Sequence, residues 1–196
     1  MLIKGTEDLR VQKTISAIKK AFEELICEKD YDSIKVTELC QRSMINKKTF
    51  YHYYPSLDDL LAEMQAELSE AYLERVKDCK LPRDAAKVNR AFFEYSAEQG
   101  LAYEKITCAT GAYSQTRQEM IDRVIAETWG ESEAFRGLNP SQQRMVLNFI
   151  STVSVGCYRE WVADGKQMPL EDVIQLSTTL MCGGLDRFFH IEKSLR

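Results

Sequence analysis

Apolar residues recur at three- and four-residue steps along nearly the whole of this 196-residue chain, and no segment sustains the alternation of a half-buried strand. That periodicity predicts an all-α protein of about nine helices. The first helix is expected from about Asp8 to Glu28, with Val11, Ile15, Ile18, Phe22, Leu25 and Ile26 on one stripe and Thr6 as its cap. "KDYDS" interrupts it, and a short helix follows over Val36 to Ser43. "MIN" has room only for a tight turn. Asn46 caps a third helix, Lys47 to Tyr54, which Pro55 stops.

Ser56 then caps a long helix to about Cys79, with Asp58 and Asp59 in its first turn and Leu60, Leu61, Met64, Leu68 and Tyr72 along one face. Pro82 is expected to open the next helix, which Gly100 ends. Two more are expected within residues 101–137, broken near Gly111 and Gly130. Asn139-Pro140 starts a long helix to about Asp164-Gly165, and the last runs from Leu170 to His190.

The length allows a substantial core. No apolar run approaches the roughly 20 residues of a membrane span, and the first ten residues have no apolar stretch of signal-peptide length. These features predict a cytoplasmic protein. Its six cysteines are widely and irregularly spaced, without a C-x-x-C pair, and there are two histidines. That spacing suits reduced thiols within a core, and no metal or other cofactor is expected. Catalytic signatures such as G-x-S-x-G, a phosphate-binding glycine loop or H-E-x-x-H are absent from the sequence, so an enzyme is not expected.

Net charge is −4, yet residues 1–55 carry 10 Lys+Arg against 8 Asp+Glu. A locally basic front on an acidic body points toward a polyanion. Two short helices joined by a tight turn behind an amphipathic support helix describe a helix-turn-helix unit. In "NKKTFYHYYPS", Phe50 and Tyr54 are four apart and turn inward. Lys47, Lys48, Thr49, Tyr51, His52 and Tyr53 are left on the N-terminus and exposed face as DNA-binding candidates. His52, with Lys47 or Lys48, is the expected reader of base edges.

The stretch "SIKVTELCQRSMINKKTFYHYYPSLDDLL" resembles the DNA-binding signature of the TetR/AcrR transcriptional regulators. Thr49, Phe50, Tyr51, Tyr53, Tyr54, Asp59 and Leu60 match its recognition-helix run and the acidic start of the next helix. The resemblance implies a helix-turn-helix domain over residues 1–55 and an effector-binding and dimerisation domain over 56–196. It also implies a homodimer on a palindromic double-stranded operator, usually as a repressor released by a small-molecule effector. Met44 stands where a glycine is common, which suggests a turn without a left-handed residue. Lys35 replaces a usual capping hydroxyl, and Leu57 a common phosphate-binding lysine.

The two long C-terminal helices are strongly apolar. Phe149, Val153, Cys157, Trp161, Leu180, Gly183, Gly184 and Phe188 are the expected dimer interface, the glycine pair permitting close backbone approach. Tyr72, Phe92, Tyr95, Tyr103, Cys108, Tyr113, Trp129, Phe149 and Tyr158 are the candidate effector pocket, suited to an aromatic or lipophilic molecule. Two variants keep the same fold: an activator, or a redox sensor acting through Cys108 or Cys157.

Overall fold

The computed structural model describes residues 9–108, 124 and 126–189, and its regular elements are helices. In α1 (Leu9–Glu28) the predicted stripe faces inward: Ile18, Phe22 and Leu25 lose all contact with solvent, while Val11 and Ile15 are half-buried. After a single 3₁₀ turn at Tyr31–Ser33 come α2 (Val36–Arg42), α3 (Lys47–Tyr53) and α4 (Leu57–Val76). α5 (Ala85–Glu98), α6 (Leu101–Cys108), the one-turn α7 (Glu133–Arg136), α8 (Pro140–Ala163) and α9 (Leu170–Phe188) follow.

The starts and stops are local chemistry. Ser56 Oγ accepts from the Asp59 N–H at 3.1 Å. Asn139 and Gln142 form a reciprocal capping box ahead of α8, at 2.9 and 3.0 Å, with Pro140 supplying the first helical residue. Lys35 precedes α2 without a side-chain cap, so its backbone carbonyl alone accepts the first helical N–H groups. The helix expected from Pro82 begins instead at Ala85. Asp84 is tied back to the Lys80 N–H through its carboxylate (2.8 Å), closing residues 81–84 into turns.

The turn between α2 and α3 corrects one expectation. Met44 has φ +54°, so the left-handed residue is present although it is not glycine. The reason is the α2 C-terminus: Ile45 N–H donates to Cys40 O (3.0 Å) and Met44 N–H to Gln41 O (3.2 Å). This paired closure demands a left-handed residue after the helix cap. The same closure ends α8, where Gly165 (φ +70°) and Lys166 donate to Val162 and Trp161. Since Met44 is 92% exposed, Met44→Gly removes strain and little burial. We expect a gain of about 0.5–1 kcal/mol in urea unfolding, and an unchanged or lower midpoint would refute the strain.

Three clusters make up the interior. The first joins α1, α2 and α3 through Leu39, Cys40, Phe50 and Tyr54, and draws in Leu60, Leu61 and Met64 of α4 and Ile106 of α6. Its packing therefore continues past residue 55. The second gathers Ala85, Trp129, Phe135, Val146, Ile150, Met181 and Leu185; the third holds Phe93, Tyr158, Trp161, Val173 and Ile174. A polar knot crosses the second half. Asn89 of α5 donates to Ser177 (3.2 Å) and Thr178 (3.0 Å) of α9 and accepts from Ser154 of α8 at 2.8 Å. Such a satisfied buried network fixes the mutual register of three helices.

Candidate nucleic-acid interface and internal cavity

α3 is held at both ends. Asn46 Oδ1 accepts from the Thr49 N–H at 2.8 Å and from the Thr49 hydroxyl at 3.1 Å, fixing the entry. At the exit Tyr54 leaves the helix (φ −131°) and its phenol donates to Glu63 Oε1 of α4 at 2.9 Å. Burial, and then that hydrogen bond, push the Tyr54 phenol well above its usual range, so it remains a neutral donor. Phe50 is fully buried between these anchors, 6.0 Å from the Tyr54 ring.

With those two side chains inward, the remaining ones divide. Lys47, Lys48 and His52 are exposed, and Tyr51 is 53% exposed with its ring edge-on to Phe50. Thr49 is half-buried and its hydroxyl proton serves the cap. Tyr53 is also half-buried, packed against the first core cluster with His52 edge-on at 4.9 Å. The outward surface therefore rests chiefly on Lys47, Lys48, Tyr51 and His52.

Charge pairing separates these lysines from several neighbouring cations. Arg42 grips Glu28 at 2.6 and 2.8 Å, Lys29 grips Glu38, and Lys19 reaches Glu63 at 3.0 Å. Lys47 and Lys48 have no carboxylate partner among the described residues. Leu57 packs partly buried against the first cluster, so the start of α4 adds an apolar anchor where a cation would have met phosphate.

Beside α4 lies a cavity of about 110 Å³. Of the predicted effector residues, Tyr72, Phe92, Tyr95, Tyr103 and Trp129 line it. Tyr158 does not, because it is fully buried in the third cluster, where its phenol donates to Ser96 O at 3.3 Å. Cys108 packs against that same cluster. Phe149 lies instead over α9, and Tyr113 falls outside the described residues. Burial pushes the phenols of Tyr72 and Tyr95 upward, so both line the cavity uncharged. Sequence reasoning missed the polar lining: Gln65, Ser69, Asn89, Thr128 and Ser154. Gln65 was detectable as a polar residue set into the Leu61–Leu68–Tyr72 stripe.

The expected interface residues also divide. Phe149, Leu180 and Phe188 are exposed, as are Met145 and Leu176, which the sequence did not single out. Val153 and Cys157 are half-buried against their own chain's core. Trp161 is spent within the protomer, its indole donating to Met168 O at 2.8 Å. The close approach permitted by Gly184 is likewise internal: a Cβ there would lie 3.1 Å from the Phe149 ring, whereas Gly183 faces open space. Cys108 and Cys157 are partly buried.

Residues 18–64 match the model of the bacterial regulatory proteins of the tetR family. That segment includes α2, the left-handed turn, α3 and the first turns of α4. An uncharacterized HTH-type transcriptional regulator of Bacillus subtilis (strain 168), YxbF, is 23% identical over 84% of this chain. The matched segment, residues 18–64, is a TetR-type DNA-binding domain. The chain spans 43% of the Bacillus subtilis relative's length. The fold of this chain is similar to that of a TetR-family transcriptional regulator from Syntrophomonas wolfei, at TM-score 0.70, 14% identity and 94% and 99% coverage of the two chains. It is also similar to FadR of Bacillus subtilis, solved in complex with stearoyl-CoA, at TM-score 0.58, 19% identity and 85% and 95% coverage. The family matched over residues 18–64 is one of regulatory proteins, and the Bacillus subtilis relative is described as a transcriptional regulator. No described helix is long and apolar enough to cross a membrane, and no described cluster of His, Cys, Asp and Glu could hold a metal ion.

Proposed function

We propose that the chain acts in the cytoplasm as a homodimeric repressor of a palindromic operator and is released from it by a small molecule. The observation that carries this reading is the α3 surface, where Lys47, Lys48, Tyr51 and His52 stand outward on a helix locked by Asn46 and Tyr54. Lysines there meet phosphates, and His52 reaches a base edge in the major groove. Residues 1–55 form the reading head and residues 56–196 the effector and dimerisation part.

Exposed Phe149, Leu176, Leu180 and Phe188 give α8 and α9 an apolar face suited to a second copy. Two copies must place their α3 helices about one helical turn apart, roughly 34–36 Å. An effector in the cavity beside α4 would tilt that helix and alter the spacing. It must bind the released state more tightly than the bound one. The stearoyl-CoA of the similar FadR structure carries phosphates. No Lys or Arg is among the described lining residues here, which favours a smaller and less polar effector.

Selection of bound fragments from random DNA tests the reading. The expected result is a two-fold symmetric consensus bound by two chains. An asymmetric consensus, or monomers at micromolar concentration in analytical ultracentrifugation, would overturn it.

A further inference from the structure

The cavity beside α4 contains a polar group with nothing to bond among the described residues. Gln65 is 2% exposed, and its Nε2 has no hydrogen-bond partner among the described residues. Buried donors left unpaired are unfavourable and uncommon in native structures. Leucine occupies the same stripe at positions 61 and 68, so packing alone would be met by an apolar side chain. An amide there calls for an acceptor that the described chain does not supply.

Other polar lining groups are already committed. The Tyr72 phenol donates to Val88 O (3.2 Å) and the Tyr95 phenol to Leu68 O (2.9 Å). Ser69 donates to Gln65 O at 2.8 Å, Thr128 to Val124 O at 2.6 Å, and Ser154 to Asn89 Oδ1 at 2.8 Å. No Lys, Arg, His, Asp or Glu is among the described lining residues. A charged ligand group would lose its hydration there with nothing to replace it.

We propose that this cavity binds an uncharged, largely apolar molecule whose carbonyl or ether oxygen accepts a hydrogen bond from Gln65 Nε2. The proposal rests on reading this cavity as the effector site, and it names the class of molecule the site takes. Size narrows the class. An apolar cavity of roughly 150 Å³ admits benzene, so at about 110 Å³ this one suits a five- or six-membered ring. Position gives the contact consequence. Met64, one residue before Gln65, belongs to the first core cluster, and Ile106 belongs both to that cluster and to the cavity wall. A molecule held by Gln65 therefore bears directly on the packing behind α3.

The test is titration of the full chain with cyclopentanone, its near-isostere methylenecyclopentane, and butyrate as a charged control. Binding is read by calorimetry and by the fluorescence of Trp129, which lines the cavity. Cyclopentanone is expected to bind about tenfold more tightly than methylenecyclopentane, and butyrate more weakly than cyclopentanone. In Gln65→Met and Gln65→Leu, made separately so that one folded variant suffices, that preference should vanish. Both should melt at a higher temperature than the wild type, because an unpaired donor has gone. Equal binding of ketone and alkene, a ketone preference surviving in the variants, tighter binding of butyrate, or no binding by any probe would each overturn the proposal. Operator release is measured separately. A Gln65-dependent ketone preference without release of DNA would sink the effector reading and leave the ligand class standing. Release by a charged molecule that is indifferent to Gln65 would do the reverse.

Discussion

Phe50→Ala is expected to destabilise the N-terminal helices by about 3–5 kcal/mol and to abolish operator binding. Phe50 is fully buried where α2, α3 and α4 meet, in one cluster with Leu39, Leu60 and Leu61. α3 has only seven residues, too few to be helical without that packing. Removing the ring takes away both the transfer free energy and the surface against which α3 forms. Whole domains are stable by only about 5–15 kcal/mol, so this loss is a large fraction of the total. Both tryptophans lie outside the first cluster, in the second and third. Their fluorescence should keep a near-native urea transition while helicity and DNA binding are lost earlier. A loss of less than about 1 kcal/mol would show that Phe50 is not the anchor of α3.

Replacing Lys47 and Lys48 by alanine tests the outward face. Each phosphate contact adds about 0.9 to the slope of log affinity against log salt. The double variant should lower that slope by about 1.8 and weaken binding roughly 30-fold at 0.15 M salt, for every DNA sequence alike. Folding should not suffer. Both lysines are exposed and unpaired among the described residues, and they oppose the dipole at the start of α3. Alanine is also the better helix former. His52→Ala should instead relax preference at one base step and leave the salt slope nearly unchanged. An unaltered slope in the lysine variant would place the DNA on some other surface.

Helical periodicity and capping residues carried most of the architecture, because amphipathic stripes and caps are local properties. Val36, Asn46, Ser56, Asn139 and Pro169 marked starts that the structure reproduces to within a residue. The division of "NKKTFYHYYPS" was equally legible: on a helix, residues 50 and 54 share a face and cannot share it with 51 and 52. The Met44 turn was misread. Residue type suggested its geometry, whereas the hydrogen bonds closing α2 decided it.

Tertiary packing settled the rest, because those questions concern which distant surfaces meet. Aromatic spacing alone could not tell Tyr72 and Tyr95, which line the cavity, from Tyr158, which fills a core. Gly184 has the same composition signal as Gly183, yet it lies under the Phe149 ring while its neighbour faces outward. Trp161 reads as an apolar interface residue until its indole is seen bonded to Met168. Whether Gln65 was a surface break in a stripe or a buried donor without a partner among the described residues depended on α5, α6 and α8 lining the same cavity, which no local pattern encodes.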